Sequence, residues 1–206
     1  MLEFNKAPNF PGKLAPADQV DLIEAGWEES QRLNRLVENL LDMTRLESGT
    51  LTLHRQGTDI QDLIGASLAQ ISDQLRDREV NVNIPEDLPS VSIDFVLVQQ
   101  VLINLLDNAV KYSPPSSPID LQADLEEDHV EIKISDRGLG IPGEDLGRVF
   151  DKFYRVQRDD SVSGTGLGLA ICKGIVEVHG GRIFAEPREG SGTTMRIWLP
   201  IEGKSA

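Results

Sequence analysis

The hydrophobic period of the chain changes at Ser48-Gly49, and that change limits the fold more than any other feature. Upstream, Leu33, Leu36, Val37, Leu40 and Met43 recur at helical spacing, and Val20, Ile23 and Trp27 extend the stripe towards the N-terminus. Such recurrence lines up apolar side chains on one side of a helix. Arg32, Arg35, Glu38, Asp42 and Arg45 occupy much of the remainder. The pattern predicts one long helix over 15–48, closed by Gly49 as its C′ residue. An amphipathic helix of this kind requires a partner for its stripe, either the same chain's core or a second helix of a bundle. Residues 1–14 carry no apolar stretch and read as a frayed end or an expression remnant.

From residue 50 the pattern becomes mixed. The segments DIQDLIGASLAQISDQLRDR, DFVLVQQVLINLLDNAVKYS and LGLAICKGIVEVHG read as helices, the first with Asp59 at its cap and the last ended by Gly180-Gly181. LTLHR and VNVNIP read as strands, LQADLEEDHVEIKISD as a hairpin turning at Glu126–Asp128, and RIFAEPR and TTMRIWLP as two closing strands. Three helices and about five strands, the later ones antiparallel, predict an α+β fold: a two-layer α/β sandwich preceded by the long helix. The domain boundaries expected are 1–14, 15–49 and 50–206.

Composition removes several function classes. With 34 acids against 20 bases the formal net charge is −14, which repels a nucleic-acid backbone, so no nucleic-acid partner is expected. A small polyphosphate remains allowed, because a local pocket rather than overall charge holds it. The one cysteine, Cys172, excludes a disulfide framework, and His54, His129 and His179 lack metal-ligand spacing. No apolar run approaches the roughly 18 to 20 residues that span a bilayer, so a cytoplasmic location is expected.

Three constellations carry chemistry. In Asn104-Leu-Leu-Asp-Asn108-Ala-Val-Lys111-Tyr112 the two asparagines are one helical turn apart on one face. Neutral amide oxygens suit a hard cation already held by phosphates, and Lys111 lies within reach of a phosphate as a point charge. Solvated surface asparagines are the ordinary alternative. In Asp136-Arg-Gly138-Leu-Gly140-Ile141-Pro142, the carboxylate ends a strand and suits the exocyclic amine of adenine. Gly138 and Gly140 there are expected to admit a flat ring without a Cβ in the way. A dinucleotide-type G-x-G-x-x-G reading fails, since Pro142 interrupts it and a hairpin, not a βαβ unit, surrounds it. In Gly164-Thr165-Gly166-Leu167-Gly168-Leu169, glycines lead into a helix, whose free amides and positive end favour polyphosphate. The alternative there is a plain helix-start loop.

Between the last two lies VFDKFYRVQRDDSVSG. Phe150 and Phe153 are expected to anchor a short helix, with Lys152, Arg155 and Arg158 towards phosphate and Asp159–Ser163 acting as a hinged lid. A surface loop is the competing account.

Taken in order, these segments resemble the histidine-kinase catalytic domain of the GHKL superfamily. NLLDNAVKYS looks like its N box, DRGLGIP its G1 box, VFDKFYR its F box, GTGLGLA its G2 box and Gly190–Thr194 its final glycine box. RLNRLVENLLDMTRLESG is similar to the second helix of the dimerisation and phosphotransfer domain, with wording similar to Kdp-type potassium-responsive sensor kinases. The resemblance implies the Bergerat sandwich, ATP and Mg²⁺ as cofactors, Mg²⁺ on Asn108 with Asn104 assisting, and Lys111 and Tyr112 at the phosphate and sugar side. It further implies Asp136 as the adenine selector, Gly138, Gly140 and Ile141 lining the base pocket, and Arg155 with Gly164–Leu169 holding phosphates. The implied parent is a membrane-bound homodimer that works with its own phosphotransfer domain and a response regulator.

The family's acceptor histidine is followed by an acidic residue, and none of the three histidines here has that setting. The chain is therefore expected to bind ATP without phosphorylating itself. Three rivals follow: a nucleotide-dependent interaction module without kinase activity, an ATPase of the gyrase or MutL type, and a serine kinase of the anti-sigma kind. Asn104 stands where the gyrase and MutL type would carry a water-activating glutamate, and the F box and bundle-like helix favour the histidine kinase.

Overall fold

The computed structural model describes residues 16–156 and 165–201. They fall into two compact units, Met1–Glu38 and Asn39–Ala206. The predicted long helix is present as α1 (Pro16–Glu47), followed by Gly49 at φ 64°. In the first unit Val20, Ile23, Trp27, Leu33 and Val37 are all exposed. Within the second unit, Met43 and Leu46 pack against the core, and Gln100 donates to Asp42 at 2.9 Å.

The second unit is a two-layer sandwich. Strands β2 (Val80–Asn83), β4 (Ile119–Glu126), β5 (His129–Ser135), β6 (Arg182–Pro187) and β7 (Thr193–Pro200) form one sheet in the order β2-β4-β5-β7-β6. Only β2 runs parallel to its neighbour. Period-two alternation sends Val130, Ile132 and Ile134 of β5, and Met195, Ile197 and Leu199 of β7, into one apolar layer. Helices α2 (Ile60–Gln70), α4 (Phe95–Tyr112) and α5 (Gly168–Val178) supply the other, with Leu63, Val98, Val101, Leu102, Leu105, Ile171 and Ile175 almost fully buried. At about 1.5–3 kcal/mol per large apolar side chain removed from water, this layer is the main source of stability.

The opposite sheet face is polar, and it locks β5 to β7. Glu131 is fully buried beneath Arg196, Trp198 and Lys133, with Trp198 Nε1 donating at 2.6 Å. Burial pushes its pKa up, but the bonds from Lys133, Trp198 and Arg196 prevail and hold the carboxyl below the usual range. The lock matters because the next residues along these two strands build the site.

Three local expectations change. LTLHR is not a strand: the His54 amide is taken by Asp94 Oδ2 at 2.9 Å and the Arg55 guanidinium by the Val178 carbonyl at 2.7 Å, so this segment pairs with no neighbouring strand. Strand pairing begins after it, with β1 (Gln56–Thr58) against β3 (Val91–Ile93). The first predicted helix breaks at Ile71 (φ −108°, ψ 18°) into α2 and a short α3 (Ser72–Leu75), a break that leaves Ile71 and Leu75 both buried. The helix expected at Phe150 and Phe153 is replaced by successive turns, with amides of Asp145, Arg148, Asp151 and Tyr154 each donating three residues back. Phe150 is buried as expected; Phe153 is 66% exposed at φ 62°. Its amide bonds the Gly166 carbonyl at 2.9 Å, which holds the backbone out of a helical conformation.

Candidate functional site

Asp136 follows the last residue of β5, and its backbone continues the pairing with β7 through Asp136 N–H to the Thr193 carbonyl, 2.9 Å. Its side chain turns into the domain and is 9% exposed. Oδ1 accepts from the amides of Gly138 (2.7 Å) and Thr193 (3.3 Å), which orients the carboxylate and directs its second oxygen away from these donors. Burial raises the pKa of Asp136; the two amide bonds and the charges of Arg188 and Arg78 pull it partly back. A desolvated carboxylate oriented by backbone amides is an acceptor set for one ligand donor rather than for water.

Gly138 is a glycine for a reason the sequence reading missed. A Cβ there would lie 2.1 Å from the Tyr112 carbonyl oxygen, so the end of α4 is packed against this loop. Gly140, at φ 70°, faces the Gly192 carbonyl in the same way. Both glycines thus serve contacts of the protein's own backbone. The segment before β7 is the partner sequence reasoning did not derive. Gly192 sits against the Asp136 carbonyl, Thr193 supplies an amide, and the Ser191 hydroxyl donates to the Gly138 carbonyl at 2.7 Å. The usable signal was Gly190-Ser-Gly192 immediately before a strand.

The other end of the site lies between α4 and α5. Asn104 and Asn108 are both half-buried, one turn apart on α4. α5 starts at Gly168, whose missing Cβ would lie 2.8 Å from Asn104 Oδ1, so the helix start and the asparagine are in direct contact. Leu167 is buried and anchors that start, and the Leu167 amide donates to the Thr165 hydroxyl at 3.3 Å. Gly166 and Leu169 flank it, both half-buried. Lys111 and Tyr112 lie exposed at the end of α4, with the Lys111 ammonium paired to Asp107. Ile141 packs against the core, and Arg155 is exposed beyond Tyr154, whose hydroxyl bonds Asp145 while Arg148 sits over its ring at 4.3 Å. Gly164 and the expected lid at Asp159–Ser163 lie outside the described residues.

Among the described residues no group of three or more His, Cys, Asp or Glu is placed to hold a metal. The donors at this end are two amide side chains beside a helix start, which fits a hard divalent ion that arrives bound to phosphates and does not fit a resident transition metal. The fold thus sets both groups of candidate residues against α4, Gly138 at Tyr112 and Gly168 at Asn104.

Residues 93–203 match the profile of the family described as histidine kinase-, DNA gyrase B- and HSP90-like ATPase. The sensor protein KdpD of Escherichia coli (strain K12) is 40% identical over 166 residues, 81% of this chain and 18% of that protein. The mycobacterial sensor histidine kinase MprB superposes with a TM-score of 0.63 at 32% identity, covering 71% of this chain and 97% of that one. Full-length ShkA, solved in complex with AMPPNP, gives a TM-score of 0.79 at 25% identity over 95% of this chain and 41% of its own. No helix among the described residues is long and apolar enough to cross a membrane. The chain therefore belongs to the histidine kinase-, DNA gyrase B- and HSP90-like ATPases and carries the ATP-binding domain of the sensor histidine kinases.

Proposed function

We propose that the chain positions MgATP for transfer of its γ-phosphoryl group to a histidine of a dimerisation and phosphotransfer domain, for relay to a response-regulator aspartate. The observation that carries this reading is the buried Asp136 carboxylate, oriented by the Gly138 and Thr193 amides at the same edge as Asn104, Asn108 and the start of α5. Asp136 accepts the exocyclic amine of adenine, a contact that the carbonyl of guanine does not supply; Gly138, Gly140 and Ile141 line the base pocket. Asn108, with Asn104 beside it, offers amide oxygen to the cation. Lys111 and Tyr112 stand at the phosphate and sugar side, and Arg155 with the amides from Gly164 to Leu169 faces the phosphates. ATP brings the transferable phosphoryl group and Mg²⁺ neutralises charge that builds on it, so the protein's task is positioning and a fixed electrostatic frame.

The chain spans 18% of the length of its KdpD relative, and the remaining roles are assigned on that basis. Residues 15–49 are proposed as part of the dimerisation domain and 50–206 as the catalytic domain of a homodimeric, membrane-bound sensor, with this portion in the cytoplasm. None of the histidines is an acceptor: His179 is 1% exposed with both ring nitrogens bonded, His129 is stacked on Trp198, and His54 precedes Arg55 rather than an acid. The acceptor is supplied from outside these 206 residues, and the chain alone does not phosphorylate itself. The same observation favours one second reading, a nucleotide-dependent interaction module without kinase activity.

Calorimetric titration with ADP and a non-hydrolysable ATP analogue in Mg²⁺, with GTP as control, tests the proposal. Binding selective for adenine supports it, and phosphate transfer to an added acceptor domain separates the kinase from the module. No binding of either nucleotide to the folded protein would overturn it.

A further inference from the structure

Helices α4 and α5 touch at three levels. At one end Gly168 of α5 abuts the Asn104 amide; in the middle the buried Cys172 thiol lies 3.9 Å from the Val101 carbonyl. At the far end the Asp94 amide, at the cap of α4, donates to His179 Nε2 at 3.0 Å, while His179 Nδ1 donates to the Ile175 carbonyl at 2.7 Å. From 94 to 104 is about 15 Å of helix and from 168 to 179 about 16 Å, so the outer contacts tie together two equal, antiparallel lengths. Buried apolar side chains such as Val101 and Ile175 hold the layer together without a directional bond. The His179 bond is directional, and it joins the end of α5 to the cap of α4.

We propose that His179 is a positioning residue: by bonding the Asp94 amide it fixes the register of α5 on α4, and so sets how the phosphate-facing start of α5 meets Asn104. This rests on the nucleotide-site reading above and adds to it a residue at the end of α5 remote from Gly168. The bond pattern requires one neutral tautomer, with the proton on Nδ1. A second proton on Nε2 sets two donors face to face, and the Asp94 bond is lost. Burial and the Arg55 charge oppose that proton, while the Ile175 carbonyl and the Asp94 carboxylate favour it, and the balance lowers the pKa of His179. Around the ring, the Asp94 carboxylate is engaged by the Leu97 and His54 amides, the Arg55 guanidinium by the Val178 carbonyl, and the His54 side chain is exposed. Acid therefore breaks the clamp at the ring itself and leaves the cap of α4 in place.

The test uses the whole chain and two variants. His179→Gln keeps an acceptor in reach of Asp94 and cannot titrate; His179→Asn keeps a donor for Ile175 and falls short of Asp94. Affinities for adenosine and for MgADP are measured by calorimetry at neutral pH and at an acid pH below the His179 transition, which is located in the unaltered protein by its imidazole NMR signals. The expected result is that His179→Asn weakens MgADP about tenfold relative to adenosine at neutral pH, and that acid lowers that ratio about tenfold further in the unaltered protein than in His179→Gln, which shares the protonation of the ligand's own phosphate. Equal losses for both ligands, or a lowered melting temperature with the ratio intact, would reduce His179 to an ordinary stabilising contact and overturn the proposal. A folded protein that binds neither ligand overturns the nucleotide site instead. In that case the side-chain amide NMR signals of Asn104 decide the clamp: they shift in His179→Asn and on acidification of the unaltered protein, and unmoved signals refute it.

Discussion

The two ends of the nucleotide site are built differently. The base end is made of backbone: the Asp136 carbonyl against Gly192, the Tyr112 carbonyl against Gly138, and two amides on one carboxylate oxygen. The proposed ligand contact there is the Asp136 side chain, which follows strand β5 in its register on β7. The phosphate end is made of side chains and a helix start, with Asn104, Asn108 and Lys111 on α4 and the first turn of α5. Backbone contacts cannot yield without moving a strand or a helix end. Side-chain contacts yield by rotating a torsion, at far smaller cost. The proposed adenine pocket is accordingly preformed and intolerant, and the proposed phosphate end adjustable.

Substitutions sharpen this contrast, and the largest effect belongs to the base end. Gly138→Ala places a carbon 2.1 Å from the Tyr112 oxygen and is expected to cost about 3 kcal/mol of stability, read as a lowered midpoint in denaturant. If its stability is normal, the claim of rigidity fails. Asp136→Asn is expected to lose adenine binding by about 2 kcal/mol in calorimetry, while its melting temperature holds or rises. The reason is that burial of the charge opposes the ionised form, as the raised pKa records.

That shift fixes a pH dependence of opposite sign for folding and binding. A carboxyl whose folded pKa lies above its unfolded value contributes stability in acid, and that contribution is lost as pH rises through the folded pKa. Adenine binding requires the ionised form and so declines as pH falls through the same value. Titrating affinity and stability together in His179→Gln, with and without Asp136→Asn, isolates the Asp136 component by difference; parallel rather than opposed trends in that difference would break the assignment.

At the phosphate end, Gly168→Ala meets a side-chain amide that can swing aside, and alanine favours the helix. The melting temperature is expected to stay near that of the parent while MgADP affinity falls about fivefold and adenosine affinity does not. The smallest effect is expected from Lys111→Ala. Lys111 is exposed and already paired with Asp107, so MgADP affinity should drop only two- to threefold, and less at high salt.

Much of this was legible along the chain because it depends on local order. Helical spacing found α1, α4 and α5, alternation found β2, strand runs about turns found β4, β5, β6 and β7, and Asp59 was identified as a cap, its Oδ1 accepting the Gln61 amide at 2.7 Å. Asn104, Asn108, Asp136 and the glycines before α5 stood out as candidates because the chemistry proposed for them demands specific residue types at fixed short spacing. What was missed depends on partners remote in sequence. LTLHR has the alternation of a strand, but Asp94, some 40 residues away, takes its His54 amide. Phe153 has helical spacing to Phe150 but is held at positive φ by Gly166.

His54, His129 and His179 show the same division most plainly. The sequence by itself settled that none of them is followed by an acid in the acceptor setting, since that is a question about neighbours in the chain. It also settled that Asp136 ends a strand and that Gly168 opens a helix. Only the tertiary structure decided that Gly138 answers to Tyr112, that Thr193 completes the hold on Asp136, and that His179 reaches Asp94. Each of these is a short-range contact, a few ångströms at most, between residues 26 to 85 apart in sequence. Contacts of that kind depend on how the helix layer lies on the sheet, which no local pattern encodes.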